Sequence, residues 1–204
     1  MGKLIFTSDD KAKMKAASTL GHNGWKLNKL KKVKSKIKKH KRSELNEVCA
    51  YCQRDTTGEY NLVLDIEHII PKSIKVQHMF TMKNLTISCK RCNMEIKGSR
   101  TDFLISNIIN CTGTLFKSRY YKFVHPNLDK IENHIERNVV QKGRARIVKY
   151  LFPMKTDKGY FTYDYFKLKE LEIDSANQAQ GGNKKMEIKN AIAAKAFRKL
   201  KDGT

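Results

Sequence analysis

Apolar residues recur along the chain at two kinds of spacing, and each predicts a different element. Leu27, Leu30, Val33 and Ile37 step by three, three and four, which draws one narrow stripe along a helix in an N-terminal arm. Tyr60, Leu62, Leu64 and Ile66 instead alternate with Asn61, Val63, Asp65 and Glu67, the period of a half-buried strand that Pro71 closes. Residues 84–88 form a second short extended segment, and residues 91–97 read as a short helix stopped by Gly98. Farther on, Pro126 fits the first turn of a helix carrying Leu128, Ile131, Ile135 and Val139 on one face. Residues 175–183 are polar and glycine-containing, a linker, and beyond them Ile188, Ile192, Ala196 and Leu200 step by four along an amphipathic helix. The mixture predicts an α+β fold.

Charge divides this pattern further. The chain has 204 residues and a formal net charge of +22, and residues 11–43 hold 13 Lys or Arg with no acid. The organisation expected is a basic helical arm at 1–43, a core at 44–102, an accessory α+β region at 103–174, the linker at 175–183 and a C-terminal helix at 184–204. The arm's lysines cover the faces that its apolar stripe leaves free. They make it either a solvated surface helix resting on the body or a helix that tracks phosphates. Anionic membrane is a poorer partner, because Trp25 alone does not supply the broad apolar face of an interfacial helix. No uncharged run is long enough to span a bilayer, and the first ten residues lack a secretory apolar core, so a cytoplasmic protein is expected.

Four of the five cysteines form matched pairs, Cys49-x-x-Cys52 and Cys89-x-x-Cys92, separated by 36 residues. Two such knuckles supply the four thiolates of a tetrahedral structural zinc, whereas disulfides are a poor explanation in a reducing compartment. Cys111 is the odd one, expected as a buried, inert thiol. Between the knuckles lie groups suited to phosphodiester hydrolysis. His68 has the intrinsic pKa of a general base near neutrality. Glu67 and Asn93 are oxygen donors for a hard ion such as Mg²⁺ or Mn²⁺, and Lys97, four residues after Asn93, shares its helix face and could hold a phosphate oxygen. Singly, each has a plain structural explanation: a strand-end histidine, a solvated glutamate, a capping asparagine. Asp65 shares the face of Glu67 and is either a support for the metal shell or a solvated strand residue. His125, Asp129 and His134 are too few and too scattered for a second metal site.

The order Cys49-x-x-Cys52, Asp65-Ile66-Glu67-His68-Ile69-Ile70-Pro71-Lys72, Asn84-Leu85, then Cys89-x-x-Cys92-Asn93-x-x-x-Lys97-Gly98 resembles the HNH endonucleases of the zinc-clipped ββα-metal type. The resemblance covers roughly residues 45–102. It implies a ββα-metal core, which the spacing and charge above flank with mostly helical basic extensions, with His68 as general base and zinc at the four cysteines. It also implies a catalytic Mg²⁺ or Mn²⁺ at Glu67 and Asn93, with Asn84 fixing the loop between the strands. DNA is the substrate it implies. Settings compatible with it are bacterial anti-phage defence or restriction, with an ATPase as protein partner, and equally a phage- or intron-encoded nuclease. The competing expectation is a non-catalytic zinc-knuckle module that binds DNA or RNA.

Overall fold

Thr7 opens helix α1 (Ser8–Ser18) through a reciprocal cap: its hydroxyl accepts from the Asp10 amide at 3.1 Å, and the Asp10 carboxylate accepts from the Thr7 amide at 3.0 Å. Two short 3₁₀ segments, Gly21–Lys26 and Asn28–Leu30, then lead into α2 (Lys31–Glu44). The computed structural model of the protein describes residues 4–105, 108, 113–143 and 145–174; Cys111, Arg144, the linker and the C-terminal helix lie outside them. The described chain falls into two compact units, Met1–Asp129 and Lys130–Thr204.

In the first unit the arm's stripe is part of the core. Leu30, Val33 and Ile37 are fully buried with Ala17, Met79 and Leu85, and Trp25, Leu27, Ile66 and Phe80 pack against them. The lysines between them remain at the surface: Lys31, Lys32 and Lys39 are exposed. The arm is thus a helix that rests its apolar stripe on the body and turns lysines outward. Lys38 Nζ also donates to the Leu64 carbonyl, and Lys41 Nζ donates to Asn127 Oδ1 at 2.8 Å, so α2 is tied to the body at two further points.

Strand β1 (Leu64–His68) pairs antiparallel with β2 (Leu85–Cys89), from Leu64↔Cys89 to His68↔Leu85. The expected strand is shorter at its start. Tyr60 and Leu62 are 86% and 82% exposed, and residues 61–63 form a 3₁₀ turn, because β2 ends at Cys89 and offers no ladder partner before Leu64. After β2 the chain turns into a π-helix, Arg91–Lys97, whose wider winding is marked by the Gly98 amide donating to the Asn93 carbonyl five residues back at 2.7 Å. Gly98 has φ +50°, a conformation that favours glycine. Strand, strand and helix thus form the expected ββα unit. Phe103, Tyr121 and Phe123 are buried beside it, with the Phe103 and Phe123 ring centroids 4.4 Å apart.

The second unit corrects one expectation. Residues 126–139 do not form a helix; after a 3₁₀ turn at Ile131–Asn133, β3 (Glu136–Lys142) pairs with β4 (Ala145–Leu151) in a hairpin turned at Gly143, φ +58°. Val139 and Val140 face Val148 and Ile147 across the ladder, and this β-branched pairing outweighs the coincidental helical spacing of Ile131, Ile135 and Val139. A short β5 (Ile173–Asp174) adds to β4, and α3 (Asp157–Tyr165) is capped by the Thr156 hydroxyl, which accepts from the Gly159 amide at 3.1 Å.

Candidate active site and zinc centre

The four knuckle cysteines converge. Their sulfurs all lie within 4.8 Å of one another and are buried. A tetrahedral zinc with Zn–S bonds near 2.3 Å sets its sulfurs about 3.8 Å apart. Cys52 and Cys89 Sγ are 3.8 Å apart, and the thiols carry no disulfide. The site therefore fits a structural zinc. Among the described residues it is the one cluster of three or more His, Cys, Asp or Glu side chains with metal-ligating geometry.

Strand alternation sends Asp65 and Glu67 to the face crossed by the π-helix, and there the structure builds two rungs. Asn93 Nδ2 donates to Asp65 Oδ2 at 3.2 Å, and Lys97 Nζ meets Glu67 Oε1 at 2.7 Å. Asn93 was expected to share an ion with Glu67; it faces Asp65 instead. The reason is axial spacing. Two residues along a strand advance about 6.7 Å and four along a helix at most about 6 Å, so 65 meets 93 and 67 meets 97 without crossing.

The two rungs differ in depth. The inner carboxylate is enclosed: Glu67 and Lys97 side chains are 4% and 0% exposed, and the Tyr51 hydroxyl donates to Glu67 Oε1 at 3.3 Å. Lys97 Nζ also donates to the His68 carbonyl at 3.0 Å and lies 5.5 Å from the centre of the Phe103 ring. Burial raises the Glu67 carboxyl above its ordinary value, while Lys97 and then Tyr51 oppose that. Lys97, expected to hold a phosphate, is committed to Glu67 and to backbone carbonyls. The outer carboxylate is accessible: Asp65 is 27% exposed and also pairs with Lys90 at 3.2 Å. A water-rich Mg²⁺ or Mn²⁺ ion therefore does not fit between Glu67 and Asn93 as they stand. Asp65 is the more accessible of the two carboxylates, and it is held by the Asn93 amide nitrogen and by Lys90.

His68 lies at the end of β1, beneath the arm. Nε2 is 3.1 Å from the Met79 carbonyl, which only accepts, so Nε2 carries the proton of the neutral ring and Nδ1 keeps its lone pair. Burial, and then the charges of Lys72 and Lys97, lower its pKa to about 3 against the Met79 hydrogen bond. Burial also depresses the Lys72 ammonium; Glu67 opposes the shift, and the charges of Lys26, Lys97 and Lys34 add to it. Lysines from three chain segments thus act on Lys72 beside His68, a cationic group that sequence spacing did not reveal.

Asn84 is fully buried in the loop that bridges the strands. Its Oδ1 accepts from the Ile70 amide at 2.8 Å, and its Nδ2 donates to the Ile70 and His78 carbonyls at 3.0 and 3.1 Å. Those bonds hold both ends of the segment that presents the Met79 carbonyl to His68. Trp25 was also missed as a neighbour of the site: its ring lies 4.5 Å from that of His68, nearly perpendicular at 82°. Forty-three positions separate the two, and the lone tryptophan carries no pattern that could link them.

No curated protein and no solved structure matches the chain. Among the described residues, no helix is long and apolar enough to cross a membrane. The family model described as HNH endonuclease matches residues 49–99, from the first knuckle cysteine to just past Gly98, so this region carries the HNH endonuclease pattern, which supports a nuclease-type function with metal binding.

Proposed function

We propose that the protein is a metal-dependent endonuclease that hydrolyses DNA phosphodiester bonds, with His68 as general base. The observation that supports it is the geometry of His68: its Nε2 donates to the Met79 carbonyl at 3.1 Å, which leaves Nδ1 as the proton acceptor, with Lys72 and Lys97 near the ring. Neutral imidazole is the form that takes a proton, and the lysines supply the potential that draws in a phosphodiester. In the proposed step Nδ1 accepts the proton of a water, the water oxygen bonds to phosphorus, and the opposite P–O ester bond breaks, its oxygen leaving with a proton from solvent. Mg²⁺ or Mn²⁺, when bound, supplies Lewis-acid stabilisation of the scissile phosphate. Asp65 would hold it, joined by Asn93 once its amide turns the oxygen rather than Nδ2 toward the ion; Glu67 would join only by exchanging Lys97 for the ion. The exposed lysines Lys31, Lys32 and Lys39 of α2 would add non-specific phosphate contacts. A role in anti-phage defence or restriction, with an ATPase partner, rests on the family resemblance alone.

A second reading, a nucleic-acid-binding module without catalysis, is favoured by the closure of the inner rung, where Lys97 already neutralises Glu67. Nicking of supercoiled plasmid separates the two. The expected result is cleavage with Mg²⁺ or Mn²⁺ that His68→Ala abolishes while plasmid affinity stays within about twofold, since the base contributes to the transition state rather than to binding. A wild-type protein that binds plasmid and nicks it with neither ion establishes the binding module.

A further inference from the structure

We infer that Trp25, supplied by the N-terminal arm, is a positioning residue for His68: the indole ring and the Met79 carbonyl together clamp the imidazole and leave Nδ1 as the nitrogen open to a proton. This rests on His68 being the base. The clamp is built from several directions. His68 Nε2 is held at 3.1 Å from the Met79 carbonyl, and Nδ1 has no hydrogen-bond partner among the described residues. The Trp25 and His68 rings meet edge to face with centroids 4.5 Å apart, a favourable arrangement for two aromatic planes. Phe80 backs the indole at 5.5 Å, and Lys34 Nζ lies 5.4 Å from its ring centre.

The indole is itself placed by the close approach of the arm to α1. Gly24, the residue before Trp25, is buried so tightly that a Cβ there would fall 1.9 Å from the Ala17 carbonyl oxygen. Only glycine fits that approach, and it fixes the backbone from which Trp25 reaches the site. Trp25 then joins the core shared by α1, α2, Met79 and Leu85. The arm is therefore a wall of the site as well as a carrier of lysines. A histidine at a strand end with one hydrogen bond can still turn about its side-chain torsions; an aromatic wall removes that freedom without using a second nitrogen.

The test uses the full chain and two readouts. In plasmid nicking, Trp25→Ala is expected to lower kcat by about tenfold or more with KM changed less than about twofold, because misplacing a catalytic group by a fraction of an ångström costs rate rather than binding. Trp25→Phe, which keeps an aromatic ring, should recover most of that loss, and Trp25→Leu should not. Equal kcat for the Phe and Leu variants, or a folded Trp25→Ala with wild-type kcat, overturns the proposal; the Phe and Leu pair decides it if the Ala variant does not fold. The second readout needs no activity: Trp25 is the only tryptophan, so its emission reports the contact directly. His68→Ala should shift that emission to the red as water reaches the indole. Superimposable spectra overturn the clamp even if cleavage is normal. A shifted spectrum in a protein that never nicks DNA supports the contact while the endonuclease reading fails.

Discussion

Two carboxylates in the first unit are each covered and each paired with a lysine, yet their acidities move in opposite directions. Asp10, at the start of α1, meets Lys36 of α2, and the Lys36 ammonium with the Thr7 amide lowers its pKa to about 2. Glu67, on β1, meets Lys97 of the π-helix, and burial raises it all the same. The difference is where the lysine stands. Lys36 is 41% exposed and keeps its own hydration, whereas Lys97 is wholly buried. At Asp10 the lysine keeps its water and the attraction outweighs the cost of covering the carboxylate; at Glu67 both ions have left water, and their attraction only partly offsets that cost. The first pair fastens two arm helices. The second fastens a helix to a strand inside the region that the HNH family model matches.

The largest expected effect comes from the zinc centre, which holds the start of the π-helix that carries Lys97. Elemental analysis should find about one zinc per chain. Chelation or Cys92→Ser should dissolve the ββα unit, since structural zinc contributes on the order of 10 kcal/mol to such small domains. Amide exchange should then show the Glu67–Lys97 region losing protection while α1 and α2 keep more of theirs; a metal-free protein with the same protection pattern would remove the zinc from the account. Next in size is Lys97→Met, which leaves Glu67 charged, buried and unpaired. About 3–5 kcal/mol should be lost in denaturant unfolding, and adding Glu67→Gln should restore most of it. Lys36→Met, at the more exposed pair, should cost no more than about 1 kcal/mol. Similar losses for the two single lysine changes would mean that depth does not separate the pairs.

How much of this was legible in the sequence follows the same division between local and long-range information. The knuckles could be read because a two-residue spacer forces both sulfurs of a pair toward one point whatever surrounds them. The facing of Asp65 and Glu67 on β1 and the stop at Gly98 could be read because alternation and a left-handed glycine are local matters. The pairing of Asn93 could not: both carboxylates lie on the correct strand face, and only the axial advance of helix against strand selects Asp65. Nor could the depth of Glu67 be read, which depends on Tyr51 against Glu67 and Phe103 against Lys97, from either side in sequence. The hairpin at Glu136–Leu151 was misread because Ile131, Ile135 and Val139 happen to fall at helical spacing, while the signal that wins, Val139 and Val140 facing Ile147 and Val148, needs the partner strand to be known. Trp25 beside His68 is the extreme case, a contact across 43 positions with no periodicity to announce it.

The smallest effect is also the one that most directly tests the comparison, because it turns on a sign. Asp10 has a depressed acidity, about 2 in the folded chain against an ordinary 3.8. Its contribution to stability is therefore complete above about pH 3.8 and is lost as pH falls toward 2. Glu67 is raised above its ordinary 4.5, so its ionised form disfavours folding. As pH falls through its raised value toward 4.5, the wild type should gain stability relative to Glu67→Gln, and below 4.5 nothing further should change. Denaturant unfolding of wild type, Asp10→Asn and Glu67→Gln across acid pH measures both slopes. The advantage of wild type over Asp10→Asn should shrink on acidification, and over Glu67→Gln it should grow. Two slopes of the same sign would mean that Lys97, despite its burial, holds Glu67 as firmly ionised as Lys36 holds Asp10, and the inner rung would then be an ordinary ion pair rather than a strained one.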